Sequence, residues 1–180
     1  LVLLSLLTLG VAHAQTADAN DLWMVAITPG EQQAFLKRME GEWKCLQTSY
    51  MEEGKTEVME GSASKSMILG GRYLEESMKG TALGMPFAGK NTFGYDNLLK
   101  KYRTFWIDNM GTGFMIGEGQ RKGNVITIIA TYPDVMGGAD QRYKMIYTVI
   151  SDQKHSMEMF MLMENGDEAK QMDIVYTRNR

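Results

Sequence analysis

From Trp43 to Arg178 the chain alternates apolar and polar residues with a period of two, and turn signals break the run about every dozen residues. This pattern predicts ten strands, over residues 42–50, 57–68, 73–81, 87–95, 102–108, 114–120, 125–132, 141–151, 156–163 and 169–178. Between them stand turn formers, among them Glu53-Gly54, Gly70-Gly71, Gly84-Met85-Pro86, Lys122-Gly123-Asn124 and Asn165-Gly166. No connection is long enough for a helical crossover, so successive strands are expected to pair antiparallel in chain order. A sheet of that many strands curls or closes rather than staying flat. The expected fold is mainly β: an antiparallel up-and-down barrel of about eight to ten strands with a short N-terminal helix.

Thr28-Pro29 opens that helix, expected over 29–40, with Thr28 as N-cap, Pro29 at the first helical position and Glu31 closing a capping box. Ala34, Phe35 and Met39 supply its apolar stripe, and Gly41 is the stop. Residues 15–27 are polar and patternless, which reads as a flexible leader. Residues 1–14 read as a signal peptide: an uncharged apolar run from Leu1 to Gly10, then Ala12-His13-Ala14 before Gln15 in the A-x-A cleavage pattern. The run lacks a starting Met and a basic n-region, as if truncated within its apolar stretch, and it is shorter than the roughly 20 residues a membrane span needs. The expected location is periplasmic or secreted, with 28–180 as a single barrel domain.

Composition removes several function classes. A net charge of −3 gives no electrostatic footprint for nucleic acid or an anionic membrane. The single cysteine, Cys45, forbids an internal disulfide and every multi-cysteine metal motif. Of two histidines, His13 leaves with the signal peptide, so His155 alone cannot build a two-histidine zinc site. The sixteen methionines are the compositional oddity, since methionine suits irregular cores and permissive binding surfaces.

Alternation also assigns faces. Glu158 and Glu164 oppose Met157, Met159, Met161 and Met163, so the four methionines are expected inside. By the same rule Tyr143, Met145, Tyr147 and Val149 face in against Arg142 and Lys144, as do Met172, Ile174 and Tyr176, and Phe87, Phe93 and Tyr95. The segment 102–108 is apolar on both faces and stays unassigned. Such an interior either packs solid or holds one small ligand. The expected ligand lining is Phe87, Phe93, Tyr95, Tyr143, Met145, Tyr147, Met157, Met159, Met161 and Met172.

At Gly41-Glu42-Trp43 and Tyr176-Thr177-Arg178 the chain resembles the closing signature of the lipocalin-like (calycin) barrels. That resemblance implies that Arg178 packs across Trp43 where the N-terminal segment closes one barrel end, a contact worth about 0.5–2 kcal/mol. More closely, the chain resembles the bacterial family DUF1579, through Ile68-Leu69-Gly70-Gly71-Arg72-Tyr73-Leu74, Gly84-Met85-Pro86-Phe87-Ala88-Gly89, Trp106-Ile107-Asp108-Asn109-Met110-Gly111-Thr112-Gly113 and Ile174-Val175-Tyr176-Thr177-Arg178. The resemblance implies a fold, not a reaction, and the methionine stripe lies outside the family pattern.

The candidate chemistries are few. Ser62-Ala63-Ser64-Lys65 matches the acylating S-x-x-K, but on a strand Ser62 and Lys65 point to opposite sides. His155 follows the turn Asp152-Gln153-Lys154, which places it in solvent at the rim, and no nucleophile elbow accompanies it. Some ten-stranded calycin-like barrels carry haem on one histidine, but a rim position argues against haem here. Cu(I) is the sharper alternative, with His155 beside the soft-ligand stripe Met157, Met159, Met161 and Met163, of which Met157 and Met159 with His155 are the candidate ligands. Asp96 and Asp108, both at strand ends, are candidate acid–base groups at one mouth, and Arg72 could greet an acidic ligand there. No recognisable catalytic motif emerges. The leading expectation is therefore an exported binding protein whose partner is a small hydrophobic or amphipathic molecule, with soft-metal handling and a packed, ligand-free barrel as alternatives.

Overall fold

The structure, a computed structural model, describes residues 14–51, 54–134 and 136–179. The signal-peptide segment up to His13 and Glu53 of the first turn signal lie outside the described residues. Ten strands form: β1 (Gly41–Tyr50), β2 (Thr56–Ile68), β3 (Tyr73–Ala82), β4 (Met85–Asp96), β5 (Lys101–Asp108), β6 (Met115–Lys122), β7 (Val125–Tyr132), β8 (Gln141–Ser151), β9 (Lys154–Leu162) and β10 (Glu168–Arg178). Each pairs antiparallel with its neighbours in sequence, and β1 closes the ring on β10, with Trp43 opposite Arg178. The unassigned fifth strand resolves into Tyr102, Thr104 and Trp106 inside and Arg103, Phe105 and Ile107 outside.

Two helices precede the barrel, α1 (Ala14–Ile27) and α2 (Glu31–Lys37). The helical α1 replaces the expected flexible leader. Its last carbonyls have no partners of their own and are met by side chains of two barrel turns. Arg72 donates to Ile27 O at 2.7 Å, and Asn97 donates to Val25 O and Thr28 O at 2.8 Å each. Arg72 is thus a tie for the helix end rather than a greeter at the mouth.

Helix α2 starts two residues later than Thr28-Pro29 suggests. Gly30 is the N-cap, and its N–H donates to Gln33 Oε1 at 2.8 Å. Gln33 is held in that frame by the barrel, since its amide also donates to Tyr95 O and Asn97 Oδ1, both at 3.1 Å. Phe35, Leu36 and Met39 are buried, so α2 and the turn after it plug the barrel end that carries the β2–β3, β4–β5, β6–β7 and β8–β9 turns.

The same end carries the expected clamp. Trp43 is fully buried and donates Nε1–H to Met39 O at 2.9 Å. The Arg178 guanidinium lies 4.3 Å from the indole centre and donates to Glu40 O and Asp152 O. Gly41 has φ 130°, and a Cβ there would overlap that guanidinium, which explains why glycine precedes the tryptophan by two.

Candidate functional site

The plug half of the barrel is solid, filled by Trp43, Tyr102, Ile126, Ile128, Val149 and His155. The other half encloses a cavity of about 310 Å³. Its deep wall comes from β8, β9 and β10 through Tyr147, Met157, Ile174 and Tyr176, and Met78 and Met115 add thioethers from the opposite side. Nearer the rim, Phe87 and Trp106 stack with centroids 6.3 Å apart and planes at 17°. Gly89 makes that arrangement possible, because a Cβ on it would overlap the Trp106 ring.

Seven residues expected to line a ligand site do line this cavity: Phe87, Tyr143, Met145, Tyr147, Met157, Met159 and Met172. Phe93, Tyr95 and Met161 do not. Phe93 is buried beneath it between Tyr102 and Tyr147, and Tyr95 packs on Tyr102 near the plug. Met161 is half-buried, away from the cavity wall, while Met163 lies past the end of β9 and is 43% exposed, not inside. Alternation fixes the face a residue takes, but not its height along the barrel, and the cavity occupies only one half.

Sequence reasoning missed the polar floor. Lys65 and Glu76 are register partners on the inner face of β2 and β3, both buried, with Nζ 3.3 Å from Oε1. As its strand parity requires, Lys65 points in while Ser62 is exposed, so the S-x-x-K residues cannot act together. Lys65 Nζ also sits 3.0 Å from His155 Nε2 and 3.8 Å from the Tyr176 ring centre. An ammonium only donates, so Nε2 is the acceptor and the neutral imidazole carries its proton on Nδ1.

His155 is therefore not a solvated rim residue. It is 1% exposed, stacked on Tyr176 at 4.3 Å and edge-on to Trp43 at 4.2 Å. Burial, reinforced by the Lys65 and Arg178 charges, pushes its pKa down to about 2. Burial first, then the Glu76 charge, raises the Tyr147 and Tyr176 hydroxyls, which stay protonated phenols. Cys45, also buried, is pushed up to about 12 and is no thiolate nucleophile.

This geometry does not fit the histidine-based cofactors. Nε2 of His155 is taken by the Lys65 ammonium, its Nδ1 is buried without a hydrogen-bond partner, Tyr176 covers one face of the ring, and the imidazole is not part of the cavity lining. Met157 and Met159 share the inward face with His155, but Met163 has left it. Among the described residues no cluster of three His, Cys, Asp or Glu side chains stands ready for a metal. Asp96 and Asp108 lie at opposite ends of β4 and β5, not at one mouth. Asp96 caps Leu98 N and Leu99 N at 2.9 Å, while Asp108 accepts from Trp106 Nε1 at 2.8 Å and from Met110 N.

A closed antiparallel barrel, plugged at one end by a helix and locked there by a tryptophan–arginine contact, is of the lipocalin-like class. The chain belongs to the DUF1579 family, described as "Protein of unknown function (DUF1579)", which it matches over residues 28–178. No curated protein matches it by sequence. Solved structures that share the fold at low identity include the following two. Rv2717c from M. tuberculosis has a TM-score of 0.58 and 12% identity, covering 85% of this chain and 100% of its own. The S-type phycobiliprotein lyase CPES from Guillardia theta has a TM-score of 0.55 and 8% identity, covering 88% and 97%. No helix among the described residues is long and apolar enough to cross a membrane.

Proposed function

We propose that this chain is a binding protein holding one small, largely apolar molecule in the open half of its barrel. The observation that carries this reading is the cavity of about 310 Å³ walled by methionines and aromatic rings. That volume lies at the lower end of the roughly 300–1,000 Å³ usual for small-molecule sites, and the walls have their usual chemistry, mostly apolar with a few placed polar groups. Flexible methionines let the wall adjust to its guest. The fold is shared with a phycobiliprotein lyase, which supports the reading by analogy of fold alone.

The test is titration of the purified protein with the uncharged dansyl sulfonamide of pentylamine. Saturable one-to-one binding with blue-shifted emission is expected, and no binding at any accessible concentration removes the proposal. Export belongs to the same reading and rests on the apolar run and the Ala12-His13-Ala14 pattern. Intact mass of the protein from its own cells is expected to show a chain beginning at Gln15.

A further inference from the structure

The lining of the cavity is charge-asymmetric. Among the described residues it contains two carboxylates, Glu76 and Asp108, and no lysine, arginine or histidine. Glu76 is 5% exposed, and its Oε1 accepts no hydrogen bond. The Lys65 ammonium behind it balances its charge at 3.3 Å, but the hydrogen-bonding contact of Lys65 goes to His155 and its face contact to Tyr176. A buried carboxylate offers about four acceptor sites; the Tyr176 hydroxyl donates to this one, and the sites on Oε1 stay unfilled at a cost. Around it stand further aromatic faces, with Tyr147 deep and Phe87, Trp106, Tyr132 and Tyr143 nearer the rim. Such faces attract a cation, more strongly when water is excluded. An anion entering the same space meets two like charges at low dielectric and no countercharge on the wall.

We infer that the preferred guest is an organic amine, protonated at neutral pH, whose apolar body fills the Met/aromatic chamber and whose ammonium donates to Glu76. This deepens the proposed function and rests on it: the same cavity, with the class of ligand named. Asp108 holds the Trp106 indole through Nε1–H and adds negative potential at the entrance.

The experiment compares three dansyl sulfonamides of equal reach, made from pentylamine (neutral), cadaverine (free ammonium) and 6-aminohexanoic acid (free carboxylate). The ammonium compound is expected to bind about tenfold tighter than the neutral one, and the carboxylate compound more weakly than either. Failure of all three removes the binding-protein reading itself. Binding of the neutral compound with no advantage for the ammonium leaves that reading standing and overturns this inference. Glu76→Gln alone strands the buried Lys65 charge, so the assignment to Glu76 is read in Lys65→Met/Glu76→Gln, where both charges go together. There the ammonium-to-neutral affinity ratio is expected to fall to near one. A ratio unchanged from the parent protein overturns the assignment.

Discussion

At the scale of single residues, the buried Lys65–Glu76 pair and the neutral His155 beside it set the electrostatics of the interior. Removing one member of a buried pair leaves an uncompensated charge, at a cost of about 3–5 kcal/mol, whereas replacing both by neutral groups of similar volume is often close to neutral. Lys65→Met is accordingly expected to lose about 3–5 kcal/mol in urea unfolding, and Lys65→Met/Glu76→Gln to recover most of it; two losses that simply add would show the pair is not coupled. His155 brings a pH dependence of definite sign. The unfolded chain binds a proton at this imidazole below about pH 6.5, and the native state does not until about 2. The unfolded state therefore gains protons first, and stability falls as pH drops through 6.5, by up to about 1.4 kcal/mol per unit. Between pH 7 and pH 5 the loss is about 2 kcal/mol, and His155→Gln, which cannot titrate, is expected to flatten that interval. A variant as steep as its parent would assign the titration to another group. The sequence hides this cluster for physical reasons. Each face of β3 carries a glutamate, so the rule that carboxylates seek water cannot choose between Glu75 and Glu76. Hairpin register does choose. With Ile68 opposite Tyr73, counting back from the turn pairs Lys65 with Glu76, and two opposite charges then share a face with Ala63 and Met78.

At the scale of elements, the strands and the short helix before them are legible, the helix with its start displaced by two residues, and α1 is not. Period-two alternation follows directly from the pleat, so all ten strands stand within a few residues of their expected places, and β1 meets β10 as the Trp43–Arg178 signature implies. Helix α1 has no apolar stripe to announce it, and its C-terminal carbonyls are capped by Arg72 and Asn97 from far along the chain. Helix α2 is mis-framed by its own capping motif, because Gln33 answers to the barrel at Tyr95 and Asn97. With only seven residues, α2 cannot hold its shape by propensity and depends on the apolar contacts that seat it in the barrel end. Leu36, fully buried at the centre of that contact, is the residue on which the plug turns. Leu36→Ala is expected to cost about 2–5 kcal/mol in urea or thermal unfolding, from lost burial plus the void left behind. A loss below about 1 kcal/mol would mean that the barrel closes without the helix.

Across the whole molecule, one tube is divided into a solid half and a hollow half, and the two respond to added volume in opposite ways. The inward face of β7 and β9 shows the division. Ile128 is fully enclosed by the closed half's packing, whereas Met159 borders the cavity while remaining 9% exposed. Interiors are close-packed, so an indole forced into a filled site displaces its neighbours at a typical cost of about 1–3 kcal/mol or more. The same indole placed beside empty volume gains contacts instead. Ile128→Trp is therefore expected to lose about 3 kcal/mol or more of stability, and Met159→Trp about 1 kcal/mol or less. The binding readout divides the two differently. Met159→Trp occupies the space a guest needs, so it is expected to weaken the neutral dansyl sulfonamide by about tenfold or more, the worth of roughly 1.4 kcal/mol of lost contact. Unfolding curves and titrations on the same samples keep the two effects apart. A Met159→Trp protein that keeps both its stability and its full affinity would place the guest somewhere other than the barrel's hollow half.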